Sequence, residues 1–263
     1  MEYQASVDST PTTKPLTLPT TESTTERKPQ VHVALDFDGT ITVGDTGDDL
    51  FRTFGAFEPL HSQLLGGQMS VAEYYLRAVR SLTADATPQA VHSFALRRQV
   101  DPGFLALVEL CERHRAHVSV VSDGFDVYIT PILEQAGCGH LPVACNTLQH
   151  TDEQWHVAFP GASESCSCFC ASCKRNALLA TVHEHDLIVF VGDGRSDRCA
   201  VKHADVVFAK DNLAAWCTEQ RIPHHPWRTL HDVARVLGTK FATQALRPRR
   251  QAQLARKAAY ETE

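Results

Sequence analysis

The sequence predicts an α/β fold, in which a doubly wound parallel sheet carries a small helical cap inserted after its first strand. Short, continuously apolar runs alternate with segments of helical spacing, which is typical of parallel strands buried on both faces. The segment between the first two runs, residues 46–98, is too long for a simple crossover helix. Three of the runs lead into acidic or hydroxyl side chains, which predicts a site at one edge of the sheet.

The predicted elements follow the chain in order. Residues 31–35, 117–121 and 187–191 are short apolar runs that we predict as buried strands, and 205–209 is a fourth. Helical spacing is found at 47–65 and 70–82 in the insert. The pair Asp101-Pro102 predicts the start of a helix that runs to about Arg115. Further helices are predicted at 123–135, ending at Gly137, and at 212–220 and 229–237.

Four regions are predicted from composition. Residues 1–30 contain eight Thr, four Pro and no Phe, Ile or Trp, which predicts a disordered tail because so little apolar surface can be buried. Residues 31–45 and 99–240 form the predicted core, and 46–98 form the cap. Residues 241–263 are predicted as a basic C-terminal tail, either a solvated helix or a frayed end.

Composition also limits the partners. Lys and Arg total 25 against 31 Asp and Glu, a formal charge of -6, which argues against nucleic acid. No apolar run approaches the roughly 18 residues of a membrane helix, and no apolar signal segment is visible, so we expect no membrane partner. Nine Cys, four of them between 166 and 173, fit a reducing, cytoplasmic setting better than a disulfide framework.

Two carboxylates follow the first predicted strand, in Asp36-Phe37-Asp38-Gly39-Thr40. Side chains at i and i+2 of an extended segment face the same side. One carboxylate can attack as a nucleophile, while the other protonates the leaving oxygen and then activates water. Adjacent carboxylates repel a phosphate dianion, so a divalent cation is needed. Ligands that are all oxygen favour Mg²⁺.

The phosphate-binding groups are predicted from two further segments. Ser122 ends the second strand, and Asp123-Gly124 follow it, so a hydroxyl and free amides meet at a helix start. Lys174 opens an apolar helix before the third strand and supplies a cation for Asp36 and the phosphate, with Arg175 as the alternative.

The third strand leads into Gly192-Asp193-Gly194-Arg195-Ser196-Asp197. Asp193 is predicted to complete the metal shell. Asp197, four residues after Asp193, is placed to support either the metal or Lys174.

In order and spacing, these four segments resemble the signature of haloacid-dehalogenase-superfamily phosphatases over about residues 31–240. The resemblance implies a Rossmann-like sheet, with Asp36 as nucleophile and Asp38 as general acid and base. It implies that Asp36, the backbone carbonyl of Asp38, and Asp193 bind Mg²⁺, and that Ser122 and Lys174 hold the phosphoryl group. The helical insert resembles the small cap of the phosphoserine-phosphatase-like subfamily.

A finer resemblance links three segments to the methionine-salvage phosphatases of this superfamily: residues 122–126, the Cys-rich stretch ending at Lys174, and residues 205–213. The predicted function is Mg²⁺-dependent hydrolysis of a small phosphorylated metabolite. Phosphoserine phosphatase is the alternative, because Asp45 stands where that subfamily places an acidic residue for the substrate amine. Phosphoryl transfer to an alcohol and a catalytically silent binding protein are further alternatives, and the intact acidic positions argue against the last.

Four thiols are crowded into eight residues, at Cys166, Cys168, Cys170 and Cys173. Such a cluster can hold zinc in a closed site of four sulfurs. The spacing lacks two well-separated pairs, however, and this favours free thiols or a redox pair over structural zinc. The two adjacent tyrosines of the insert, Tyr74 and Tyr75, are predicted to pack within the cap.

Overall fold

A computed structural model describes residues 29–162, 168 and 170–262. The predicted disordered tail, apart from its last two residues, lies outside this range. The described strands are β1 Val31–Leu35, β2 His117–Phe125, β3 Val143–Thr151, β4 Gln154–Ala158, β5 Leu187–Gly192, β6 Val206–Ala209 and β7 His225–Pro226. The described helices are α1 Thr46–Phe54, α2 Leu60–Leu65, α3 Val71–Arg80, α4 Pro88–Ala95, α5 Phe104–Arg113, α6 Asp126–Gln135, α7 Lys174–Leu179, α8 Arg198–His203, α9 Asp211–Glu219, α10 Leu230–Ala242 and α11 Arg250–Thr262.

The strands form one sheet in the order β4-β3-β2-β1-β5-β6-β7. All neighbouring pairs are parallel except β3 and β4, which form an antiparallel hairpin. This confirms the predicted α/β class, and the hairpin at the edge is an addition to it. Leu35 lies opposite both Val120 and Val191, so β1 and β5 end at the same level. The predicted strand 117–121 continues to Phe125, and the helix predicted from 123 begins at Asp126, because the chain keeps pairing with β3.

The central strands bury both faces, as expected for a doubly wound sheet. Val33 and Leu35 of β1 belong to the larger core cluster, which includes α5, α6, α10 and the cap. Ala34 between them belongs to the second cluster, which includes α7, α8 and α9. The period-2 alternation along β1 therefore divides its side chains between two cores.

Residues 46–98 form four helices, α1 to α4. The helical spacing predicted at 47–65 is interrupted at Gly55, so that this segment forms two helices, α1 and α2. The structure adds α4, which starts with Pro88 after the side-chain cap Thr87. No helix in the described part of the chain is both long and apolar enough to cross a membrane.

The helix after Asp101 begins two residues later than predicted. Gly103, not Asp101, precedes the first turn of α5. The Asp101 carboxylate accepts hydrogen bonds from the amides of Gly103 at 2.8 Å and Leu230 at 2.9 Å. Asp101 therefore joins the start of α5 to the start of α10, a contact between chain-distant segments that local sequence does not reveal.

The C-terminal residues differ from the predicted solvated helix or frayed end. They form α11, which packs against α8 and buries Ala252, Arg256 and Ala259. Arg256 donates to Asp205 Oδ2 at 3.0 Å and to the His203 carbonyl at 2.6 Å. The sequence pattern is weak here because the buried face consists of alanines and the aliphatic part of an arginine.

Candidate active site

The loops that follow β1 and β5 and the last part of β2, residues 122–124, meet at one edge of the sheet and line a cavity of about 190 Å³ between the core and the cap. The parallel register brings these strand ends together. The predicted residues that line the cavity are Asp36, Asp38, Ser122, Asp123, Gly124, Lys174 and Asp193. Asp197 lies behind them and is fully buried.

Lys174 is buried between two carboxylates. Its Nζ lies 2.5 Å from Asp36 Oδ1 and 2.7 Å from Asp197 Oδ1. Burial lowers the pKa of Lys174, but Asp197 and Asp36 raise it by more, so the ammonium stays charged. Burial and the neighbouring Asp197 raise the pKa of Asp36, and Lys174 opposes them. Arg175, the alternative cation, donates to Asn176 and does not line the cavity.

Asp38 is held on both carboxylate oxygens. Oδ1 accepts from the Thr46 amide at 2.8 Å, and Oδ2 accepts from the Tyr128 hydroxyl at 2.8 Å. Burial raises the pKa of Asp38, while these two hydrogen bonds oppose the rise. Gly124 passes so close that a Cβ there would overlap the Tyr128 hydroxyl and Asp38 Oδ2. The sequence analysis missed Tyr128, although it lies only four residues after Gly124.

Asp193 and Asp197 have different surroundings. Asp197 Oδ2 accepts from the amides of Asp193 and Gly194, each at 3.0 Å, while Oδ1 is occupied by Lys174. Asp193 Oδ1 accepts from Thr40 at 3.1 Å, and burial with nearby Asp197 raises its pKa to about 6. Asp197 therefore supports Lys174 and the loop, the second of the two predicted roles, and Asp193 faces the cavity.

One cluster of carboxylates could hold a cation. Oxygens of Asp36, Asp193 and Asp197 lie within 4.8 Å of one another. Gly39, at φ +71°, brings its backbone so close to Asp193 that a Cβ would clash with that carboxylate. Since Asp197 is saturated with hydrogen bonds, Asp36 and Asp193 are the carboxylates that remain for a metal.

The second strand end also connects to the segment before Lys174. Ser122 Oγ accepts from the Gly124 amide at 2.9 Å. The Asp123 carboxylate accepts from the amides of Ala171 at 2.9 Å and Ser172 at 3.0 Å. The side chain of Asp123 therefore positions the residues that precede Lys174. Only the backbone amide of Asp123 remains for the predicted role in binding phosphate.

Asn146 completes this connection, and the sequence analysis missed it. Its Nδ2 donates to the Asp123 carbonyl at 2.6 Å, and its Oδ1 accepts from the Ser172 hydroxyl at 2.6 Å. Asn146 lies on β3, in the hairpin that the sequence analysis did not predict. Its side-chain amide is fully buried, and no pattern in the sequence indicates this role.

The cap wall of the cavity has a polar part and an apolar part. Asp48 and His61 are polar, and beside them Asp45, the last core residue before the cap, accepts from the Asp48 amide at 2.7 Å as the N-cap of α1. The remaining cap side chains are apolar or aromatic: Leu64, Leu65, Val71, Tyr74 and Tyr75. The two tyrosines pack against Phe51 within the cap, as predicted, and they also face the cavity.

The cysteine cluster lies next to this site. Cys166 is outside the described residues. The Sγ atoms of Cys168 and Cys170 are 2.7 Å apart, and those of Cys168 and Cys173 are 3.9 Å apart. Cys199, which the sequence analysis did not select, brings a further thiol to the same place.

Comparison with known proteins agrees with this geometry. The model of the haloacid dehalogenase-like hydrolase family matches residues 33–202. A 2-hydroxy-3-keto-5-methylthiopentenyl-1-phosphate phosphatase of Brevibacillus brevis is 29% identical over 205 residues, covering 77% of this chain and 92% of that protein. A protein of the same description from Bacillus pumilus is 30% identical over 205 residues, covering 76% and 88%.

Solved structures agree on the fold. A phospho-aspartyl intermediate analogue of phosphoserine phosphatase has a TM-score of 0.62 at 20% identity, covering 80% of this chain and 99% of that chain. A probable phosphoserine phosphatase from Vibrio cholerae has a TM-score of 0.61 at 21% identity, covering 84% and 68%. Because the family model spans more than half of the sequence, the chain belongs to the haloacid dehalogenase-like hydrolase family.

Proposed function

We propose that this chain is a Mg²⁺-dependent phosphatase that hydrolyses a small phosphomonoester through a phospho-aspartate on Asp36. The arrangement of Asp36 carries the proposal. Its Oδ1 is held by Lys174 and by the Phe37 amide at 2.7 Å. Oδ2 accepts no hydrogen bond from the residues that the structure describes, and this oxygen is the one offered to phosphorus.

The carboxylates at the cavity fit Mg²⁺. Asp36 and Asp193 offer oxygen ligands alone, which suits a hard cation, and the backbone carbonyl of Asp38 is the third protein ligand in the proposal. When bound, Mg²⁺ supplies positive charge that offsets the repulsion between these carboxylates and the phosphate. Lys174 supplies a second positive charge, through its direct contact with Asp36.

The proposed reaction has two halves. Asp36 Oδ2 forms a bond to phosphorus while the bond to the leaving oxygen breaks, and Asp38 gives that oxygen a proton. Asp38 then takes a proton from water, the water oxygen bonds to phosphorus, and the acyl phosphate bond breaks to release phosphate and Asp36. The raised pKa of half-buried Asp38 suits the first step, because the carboxyl must enter the reaction protonated.

Lys174 and Ser122 hold the phosphoryl oxygens in this scheme. Both are buried and both line the cavity. Their positions do not depend on the substrate, because Lys174 is fixed by Asp197 and the Ser122 hydroxyl by the Gly124 amide. Groups that are oriented before the reaction begins stabilise its charge without a cost of reorganisation.

For the substrate we propose the enol phosphate of methionine salvage, as named for the Brevibacillus brevis and Bacillus pumilus relatives. The apolar part of the cap wall supports this, since a methylthio tail needs an apolar surface. Asp45 favours phosphoserine as the second candidate, because it places a carboxylate in the cavity for an ammonium group. The cap, which the structure describes throughout, contributes no Lys or Arg to the cavity, so a serine carboxylate would depend on Arg195 of the core.

A substrate panel with a matched pair of variants tests the proposal. We expect turnover of the enol phosphate with Mg²⁺, at least about 10-fold better kcat/KM than for phosphoserine, and none with a chelator. Asp36→Asn should remove turnover, and Asp85→Asn, an exposed cap residue away from the cavity, should retain it. Phosphoserine turnover at the higher rate would reverse the choice of substrate. Turnover by the folded Asp36→Asn variant would exclude the phospho-aspartate.

A further inference from the structure

We propose that Cys168, Cys170, Cys173 and Cys199 form a structural zinc site. The Sγ atoms of Cys168, Cys173 and Cys199 lie within 4.8 Å of one another. Cys170 joins them through its contact with Cys168. Three thiols are thus grouped around one point, and Cys170 stands beside them as the fourth ligand. Four thiolates suit zinc, because structural zinc sites are tetrahedral and every ligand comes from the protein.

The distances agree with one ion among the thiols. Zinc bound to sulfur at about 2.3 Å in a tetrahedron places its sulfurs about 3.8 Å apart. Cys168 and Cys173 already stand 3.9 Å apart. The 2.7 Å between Cys168 and Cys170 is shorter, so Cys170 must move outward by about 1 Å to take its place. Cys170 belongs to a short turn, in which its amide donates to the Cys168 carbonyl, and a side-chain rotation suffices.

Cys199 supplies what the sequence cluster lacks. The spacing between 166 and 173 offers no second, separate pair of thiols, and this argued against zinc in the sequence analysis. Cys199 lies in the first turn of α8, far from Cys173 along the chain. A ligand from a second element lets the thiols surround an ion, which one short turn cannot do alone.

The position of the site gives it a role. Cys173 immediately precedes Lys174, and Cys199 follows Asp197 by two residues. An ion held by both cysteines therefore joins the two segments whose side chains form the 2.7 Å pair between Lys174 and Asp197. The zinc acts as a positioning group behind the active site and takes no part in the chemistry.

Metal analysis of the full-length protein, purified under reducing conditions without chelator, tests the site. We expect about one zinc per chain, and loss of more than about nine tenths of it in Cys168→Ser and in Cys199→Ser. Cys145→Ser is the matched control, since this half-buried cysteine on β3 lies outside the cluster. The zinc-free variants should show a thermal midpoint lower by roughly 10 °C. Their kcat should be about 10-fold lower, with an unchanged Mg²⁺ requirement.

Cobalt substitution of the unaltered chain tests the ligands without any variant. Co²⁺ bound by four thiolates gives an intense sulfur-to-metal charge-transfer absorption, which we expect here and which added Zn²⁺ should abolish. Failure to take up Zn²⁺ or Co²⁺, zinc retained in Cys199→Ser, or a disulfide between Cys168 and Cys170 in reduced preparations would each overturn the proposal. These outcomes are independent of the proposed hydrolysis, because none of them is measured through activity.

Discussion

Lys174 is the residue whose removal should change both stability and activity most sharply. Its side chain is 2% exposed, and its ammonium group contacts both Asp36 and Asp197. Lys174→Met preserves the length and apolar part of the side chain and removes the charge. Two buried carboxylates would then face one another without a cation, an arrangement that is far costlier than the loss of a surface pair.

The size of the effect follows from the proton that relieves it. Breaking a buried pair by removing one partner costs about 3–5 kcal/mol. The variant can relieve the repulsion by taking up a proton on one of the two unpaired carboxyls, so the loss of folding free energy cannot exceed the free energy of that protonation. For Asp36, with an ordinary pKa of 3.8, this upper limit is about 4 kcal/mol at pH 7 and about 1.6 kcal/mol at pH 5. We therefore expect a penalty of about 3–4 kcal/mol at pH 7 that shrinks on acidification.

The sign of this pH dependence is set by linkage. In the variant, the folded state keeps a proton on a buried carboxyl that the unfolded state releases above pH about 4. Stability is therefore lost as the pH rises, and the gap from the unaltered protein widens between pH 5 and pH 7. Urea unfolding in the presence of a chelator measures it, because bound Mg²⁺ would replace part of the missing charge.

The control is Lys257→Met, which removes a cation from an exposed pair with Glu261 and should cost less than about 1 kcal/mol. Phosphatase activity of Lys174→Met should fall by more than about 100-fold, since the phosphoryl group loses a fixed cation. A penalty below 1 kcal/mol, or one that is equal at pH 5 and pH 7, would refute the reasoning about the buried pair.

Two further predictions concern the second strand end. Gly124→Ala should abolish turnover in a folded protein, because its Cβ would overlap Tyr128 and Asp38. The control is Gly44→Ala, whose Cβ would meet open space and which should keep wild-type kcat. Equal activity of the two variants would contradict the close packing at Gly124. Burial raises the pKa of Asp123 to about 6 from 3.8, so the folded state holds its proton to higher pH than the unfolded state does. The unfolding free energy of the unaltered protein, relative to Asp123→Asn, should therefore fall by about 2.4 kcal/mol between pH 4 and pH 7 in urea titrations, and a difference that stays flat or rises would exclude that shift.

The fold class and the acidic part of the site were readable from contiguous residues. Asp36, Ser122 and Asp193 each come at the end of an apolar run, although Ser122 itself lies within β2, and parallel strands bring these ends to a common edge. Strand, turn and functional side chain are thus encoded together in one short segment. Lys174 was predicted from the need for a cation, and the structure places it against Asp36.

Other parts of the molecule could not be read in this way. The β3–β4 hairpin lies at the edge of the sheet, where side chains alternate between exposed and buried and no long apolar run marks the strand. The docking of α11 depends on alanines and on one arginine paired with Asp205, which resemble an exposed helix in composition. Only packing against α8 distinguishes this helix from a solvated one.

The sequence by itself determined the central strands β1, β2, β5 and β6, the site residues near their ends and the type of chemistry, because hydrophobic period and turn residues are local properties of the chain. The edge strands β3, β4 and β7 came only from the structure. Tertiary structure alone decided that Tyr128 holds Asp38, that Asp123 turns towards the segment before Lys174, and that Cys199 meets the cysteine cluster. The partners in each of these contacts lie at least 26 residues apart along the chain, as between Cys173 and Cys199. Contacts of this kind depend on how whole elements pack, and no local pattern specifies the side chain that will arrive from elsewhere.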